Sequence, residues 1–177
     1  MRIGAETSTD IHVETLRALT STLGEAGFET KSFRDNLRIH VSPDVISETL
    51  RCLKNVCGFA SLSELGAVDY LKYPGRQGPR FEVHYCLLNM DRRERVVVKV
   101  GVDDPTPTLP SAMPLWLGAN WMEREVFDMF GIRFEGHPDL RRILLPDEFA
   151  AHPLRKDYPL RGRGERHNFP RLTRGDS

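Results

Sequence analysis

Apolar residues recur along the chain first at helical spacing, then in alternation, and finally with no period at all. Ile11, Leu16, Leu19 and Leu23 repeat every three to five residues, with Asp10 placed to cap a helix and Gly27 to stop it. Residues 28–34 and 37–41 then alternate, and Asp35-Asn36 between them reads as a two-residue turn, which predicts a hairpin. Ser42-Pro43-Asp44 opens a second helix, which runs through Val45, Ile46, Leu50 and Leu53 to Gly58. Three candidate strands follow. The weakest covers 62–70. Residues 81–90 set Phe81, Val83, Tyr85 and Leu87 on one face against Glu82 and His84 on the other, and 95–102 carries a Val-Val-Val centre. Short turns between neighbouring strands predict an antiparallel or mixed sheet with helices packed on one face, an α+β fold over residues 1–102.

Residues 103–113 hold three prolines within DDPTPTLP and read as an extended connector. A third helix is predicted over residues 114–132, ending at Gly131. From 133 to 177 the hydrophobic period disappears and prolines stand at positions 138, 146, 153, 159 and 170. This stretch predicts a long, extended C-terminal docking arm that lies against something else.

Composition narrows the function. The 177 residues are 40% apolar and 28% charged, enough for a real core. Lys plus Arg and Asp plus Glu number 25 each, a balance that argues against a nucleic-acid or lipid coat. The arm carries 10 basic and 7 acidic groups and the rest 15 and 18, an asymmetry suited to protein contact. No apolar stretch reaches membrane-spanning length, and the first ten residues show no signal or transit pattern. The expectation is a soluble chain that stays where it is made. Cys52, Cys57 and Cys86 include no Cys-x-x-Cys pair, and on one helix the first two would point to poorly matched faces. They read as reduced core thiols, and the chain is expected to carry no metal of its own.

Candidate chemistry collects on the third helix and the arm. Glu123-Arg124-Glu125 and Asp128 offer two carboxylates, Glu125 and Asp128, three residues apart, and an Arg124–Asp128 pair four apart. Such carboxylates suit acid–base work or a metal, or else an ion-paired interface. Trp116, Trp121, Phe127 and Phe130 read as packing anchors. In the arm, His137-Pro138-Asp139-Leu140-Arg141 is echoed by His152-Pro153-Leu154-Arg155-Lys156. Each is read as a His-Pro corner whose imidazole bonds backbone, with an arginine ready for a carboxylate. The phosphate-loop, dinucleotide, zinc-protease and nucleophile-elbow patterns are missing from the sequence. The arginines of 161–174 read as a solvated or docking tail. A free-standing metal-dependent hydrolase using Glu125, Asp128 and an arm histidine, and an RNA-binding module, are the readings from other classes.

The run 121–160, WMEREVFDMFGIRFEGHPDLRRILLPDEFAAHPLRKDYPL, closely resembles the thirty-kilodalton-type subunit family (the C subunit) of proton-pumping NADH-quinone oxidoreductase, respiratory complex I. The motif positions are Glu123, Arg124, Glu125, Asp128, Met129, Phe130, His137, Arg141, Ile143, Leu144 and the run from His152 through Arg155, Lys156 and Asp157. Ala151 departs from the glycine usual before the second His-Pro and would be strained if φ there were positive. The resemblance implies a non-redox structural subunit of the hydrophilic arm that holds no flavin, iron–sulfur cluster or metal. FMN, clusters and quinone belong to partner subunits, and this chain packs beside those of the quinone site and the terminal cluster. Glu123, Arg124, Glu125 and Asp128 are then expected to pair with partner charges, and Arg141, Arg142 and Arg155 to clamp carboxylates. Enzyme activity belongs to the complex, on the cytoplasmic side of a bacterial plasma membrane. Related complexes fed by ferredoxin, coenzyme F420 or hydrogenase modules keep a similar component.

Overall fold

The computed structural model describes residues 12–34 and 36–164. In chain order these form α1 (Val13–Leu23), β1 (Glu29–Phe33), β2 (Asn36–Val41), α2 (Ile46–Asn55), β3 (Ser61–Asp69), β4 (Phe81–Asn89), β5 (Glu94–Val102), β6 (Thr108–Pro110), α3 (Ala119–Phe130) and β7 (Arg133–Glu135). Five strands make one mixed sheet in the order β1-β2-β5-β4-β3. The strands predicted as sequential antiparallel neighbours hold for β1–β2, β3–β4 and β4–β5. The centre differs: β2 runs parallel to β5, with Leu37 opposite Val96, because the chain crosses from β2 through α2 and two further strands before β5 joins it.

One face of this sheet is the core. Leu37 and Ile39 on β2, Phe81, Val83, Tyr85 and Leu87 on β4, and Val96 and Val98 on β5 are all buried. Against them pack Leu19 of α1 and Ile46, Leu50 and Leu53 of α2, with Val126 and Phe130 of α3 in the same continuous cluster. The alternation read in residues 81–90 therefore fixes which face takes the helices.

Three boundaries shift for local reasons. Asp10 and Ile11 lie outside the described residues, so the cap assigned to Asp10 does too. α1 begins at Val13 and ends at Gly24 (φ +75), and Gly27 closes a separate 3₁₀ turn. Phe33 pairs with Asn36, so the first hairpin reverses one residue earlier than Asp35-Asn36 implies. The third helix starts at Ala119, not near Pro114, because 112–118 forms hydrogen-bonded turns in which Leu115 and Trp116 both bond the Ala112 carbonyl. The connector and arm are also not wholly irregular: β6 and β7 pair in parallel as a small second sheet.

The cysteines need a similar correction. α2 stops at Asn55, and the chain then turns so that the Val56 and Cys57 N–H groups both donate to the Cys52 carbonyl. Cys57 thus leaves the helix, and burial together with the neighbouring Cys52 thiol pushes its own thiol up to about 12. Cys86 sits half-buried on the outer sheet face beside Glu64, not in the core.

Candidate functional site

α3 presents its charged residues to three different environments. Glu123 is fully buried. It accepts from the Ser111 hydroxyl at 2.7 Å and the Ala112 N–H at 2.6 Å. Burial pushes its carboxyl up to about 7, and those two donors offset the desolvation only in part. Arg124, also buried, donates Nε and a terminal nitrogen to the carbonyls of Arg141 and Arg142, both at 3.1 Å. It stacks 5.0 Å from the Trp121 ring. Glu125 faces solvent.

Asp128 is the centre of the arrangement. Its Oδ2 accepts from the N–H groups of Ile143, Leu144 and Leu145 at 2.8–3.0 Å, and Oδ1 takes Arg142 at 2.6 Å. Burial works against the ionised carboxyl, but these donors outweigh it and the pKa is lowered. The predicted Arg124–Asp128 pair does not form. Both side chains are buried, and each turns to the segment after β7, where backbone carbonyls and N–H groups need partners. Glu123, Arg124 and Asp128, read from the sequence as pairing with partner charges, each find hydrogen-bond partners inside the chain. Arg142 clamps this chain's own Asp128, and with its other nitrogen bonds the Ala151 carbonyl at 3.0 Å.

Both His-Pro corners use their imidazoles on backbone. His137 Nδ1 accepts from Asp139 N–H at 3.0 Å, which leaves Nε2 to donate to the Asn120 carbonyl at 3.3 Å. His152 Nδ1 donates to the Asp128 carbonyl at 2.9 Å, and Leu154 N–H bonds the Met129 carbonyl at 3.1 Å. The second corner therefore satisfies the last carbonyls of α3, which no intrahelical donor reaches. Burial and the nearby Arg142 and Arg155 hold the His152 pKa down. Gly131 (φ +76) ends the helix there, and a Cβ on it would lie 2.6 Å from His152 Nε2. Ala151 is absent from the positive-φ residues, so alanine there carries no strain.

Further along, the arm is clasped to the sheet. Arg80 bonds Asp69 through two nitrogens at 3.1 and 2.8 Å, Asp104 at 2.5 Å and Asp157 at 2.9 Å. Arg155 bonds Asp104 and lies 5.0 Å from the Phe81 ring, and the backbone N–H of Lys156 donates to Asp69 at 2.8 Å. Burial opposes the Asp69 charge, yet Arg80 and the backbone N–H groups of Lys156 and Leu71 keep its pKa low. Asp69, Arg80, Asp104 and Ser111 were invisible as a group in the sequence, since they lie on three separate segments and match no motif. Arg141 pairs only locally with Asp139, and both are exposed.

Glu125 and Asp128 therefore share no site: one is in solvent and the other has both oxygens filled. The hydrolase reading loses its ligands. The helix and arm also leave large apolar side chains exposed. Leu117 is 79% exposed and Trp121 60%, one turn apart on the outside of α3 and its approach, with Leu144 and Leu154 exposed on the segment that α3 holds. Trp121 is thus not a core anchor, while Trp116 is, with its Nε1 donating to the Ala60 carbonyl.

These features define an α+β domain whose buried charges fix its own C-terminal segment. Residues 39–164 match the family described as respiratory-chain NADH dehydrogenase, 30 Kd subunit, and the chain belongs to that family. It is 47% identical over 147 residues to a Roseiflexus sp. (strain RS-1) protein named as the C subunit of NADH-quinone oxidoreductase, with 82% of each chain covered. The solved trypsin-resistant fragment (1-134) of Nqo5 matches at 34% identity and a TM-score of 0.65, covering 72% of this chain and 99% of the fragment. The membrane-bound sulfane sulfur reductase, an archaeal respiratory membrane complex, contains a chain matched at 25% identity and a TM-score of 0.71, with coverage of 92% and 93%.

Proposed function

We propose that the chain is a non-redox structural subunit of the hydrophilic arm of a proton-translocating NADH:quinone oxidoreductase, packing beside the subunits of the quinone site and the terminal cluster. The observation that carries this reading is the exposure of three large apolar side chains, Trp121 on α3, Leu117 just before it and Leu144 on the segment that the buried charges of α3 hold in place. A large aromatic left in water beside a guanidinium, on a rigid support, is the kind of side chain that anchors protein interfaces. Flavin, clusters and quinone then sit on neighbouring subunits, and the chain works on the cytoplasmic side of the membrane as a peripheral component. No helix among the described residues is long and apolar enough to cross a membrane.

Purification of the tagged chain from its native membranes tests this. Recovery of a complex with flavin, clusters and NADH-to-quinone activity is expected, and Trp121→Glu is expected to cut that recovery severalfold without unfolding the chain. Recovery of the chain alone, or an unchanged yield with Trp121→Glu, would sink the proposal. The likeness to a chain of the sulfane sulfur reductase favours a second reading, an equivalent subunit in a complex with another electron path. The identity of the co-purifying input subunits separates the two.

A further inference from the structure

The sheet ends in two hairpin turns that lie side by side. One joins β1 to β2 and the other β4 to β5, and they are adjacent because β2 and β5 are parallel neighbours. Arg34 stands in the first turn and Arg93 in the second, both in left-handed backbone, at φ 56° and 55°. Asparagine or glycine would hold that conformation with less strain. Two strained arginines at one end of a sheet mark a place where the side chain matters more than the turn.

The surrounding charges strengthen the point. Lys31 and Arg38 face each other directly across β1–β2, and like charges in that position destabilise the free sheet. Arg95 lies exposed at the start of β5. Among the described residues none of Lys31, Arg34, Arg38, Arg93 and Arg95 forms an ion pair. Two of the nearby acids are already engaged: buried Glu94 is held by His12, Thr15 and Arg92, and Glu14 takes Arg92 at 2.8 Å, while exposed Glu29 forms no ion pair among the described residues. Asp91 is exposed on the second turn and pairs with none of them. Between the turns opens a cavity of about 580 Å³, with Arg93 and Arg95 beside an apolar wall of Leu88 and Met90. Met90 and Phe33 are the large exposed apolar residues here, and the Arg34 and Arg38 guanidinium groups lie over the Phe33 ring.

We infer that this end of the sheet is a second docking surface, which takes an acidic segment of a neighbouring chain carrying apolar side chains between its carboxylates. Arginine forks match carboxylates two bonds at a time, and the Leu88–Met90 wall receives the intervening apolar group. A membrane surface would instead call for cations spread over a flat face, whereas Arg93 and Arg95 line a concavity, which His12, Asn36 and the already bonded Glu94 also border. The residues that line the cavity come from β2, the β4–β5 hairpin and the residue before α1, and none belongs to α3 or to the segment that α3 holds, so the surface is distinct from Trp121 and its apolar neighbours. It rests on the assembly reading only in taking the neighbour to be another subunit.

The test uses the full chain and a short fluorescein-labelled peptide of alternating Glu and Leu, read by anisotropy. Binding at low salt that weakens about tenfold in moderate salt is expected. Arg93→Glu with Arg95→Glu is expected to weaken it at least about tenfold, while Arg17→Glu with Arg51→Glu, exposed arginines elsewhere, leaves it unchanged. Lys31→Gln provides a readout that a purely structural lysine would not: it relieves the Lys31–Arg38 repulsion, so the urea midpoint rises while peptide affinity falls. Equal loss in the Arg17/Arg51 variant, absence of salt-sensitive binding, or binding to phosphatidylserine vesicles but not to the peptide would each overturn the inference. All of these readings are made on the isolated chain, so they stand or fall apart from the membrane purification.

Discussion

At the scale of single residues, two carboxylates five residues apart on α3 behave oppositely. Asp128 has four donors and stays ionised, whereas Glu123 has two donors and no cation, and its pKa rises to about 7. A carboxyl whose folded pKa is raised adds stability that is fully present below its unfolded value, near 4.5, and is lost as pH climbs through about 7. Denaturation of the wild type and Glu123→Gln across that window is expected to show the wild type losing ground with rising pH relative to the variant. Asp128→Ala strands Arg142 and three N–H groups, and a loss of about 3–5 kcal/mol by urea titration is expected. The sequence pointed to both residues but to neither role. A helical spacing tells which side chains share a face; it cannot tell that the chain fifteen to seventeen residues later will bring its amides to Asp128.

At the scale of elements, the joint between α3 and the arm depends on one position without a side chain. Gly131→Ala combines an unfavourable φ with a Cβ driven into His152. It is expected to cost more than about 1 kcal/mol and to expose the end of α3 to hydrogen exchange. The clasp of Arg80, Asp69, Asp104, Arg155 and Asp157 makes a different prediction. Asp104→Asn removes the carboxylate shared by both arginines, so amides of 154–158 are expected to lose protection, more at high salt, while β4 and β5 keep theirs. Most elements were legible because the alternation in 81–90 and the helical repeat in 46–53 answer to one buried face. The arm was legible only as proline-rich and aperiodic. Its order comes from bonds to α3, Asp69 and Asp104, which are contacts between distant segments and leave no periodic trace.

At the scale of the whole molecule, the chain separates an interior of apolar side chains and bonded charges from an exterior that carries two unlike edges, one aromatic and one basic. The expected outcome in the assembled complex is that Trp121→Glu and Arg93→Glu/Arg95→Glu detach different neighbours, which subunit-resolved mass spectrometry of each variant's purified complex would distinguish. The parallel pairing of β2 with β5 carries a consequence for synthesis. Leu37 leaves the ribosome long before Val96, its partner, and a lone hairpin is marginal in water. The β1–β2 ribbon therefore has no neighbour until β5 is made, so the sheet closes late and by a long loop. A nascent chain arrested before residue 94 is expected to remain sensitive to protease throughout, and one arrested with residues through 135 clear of the exit tunnel to resist it.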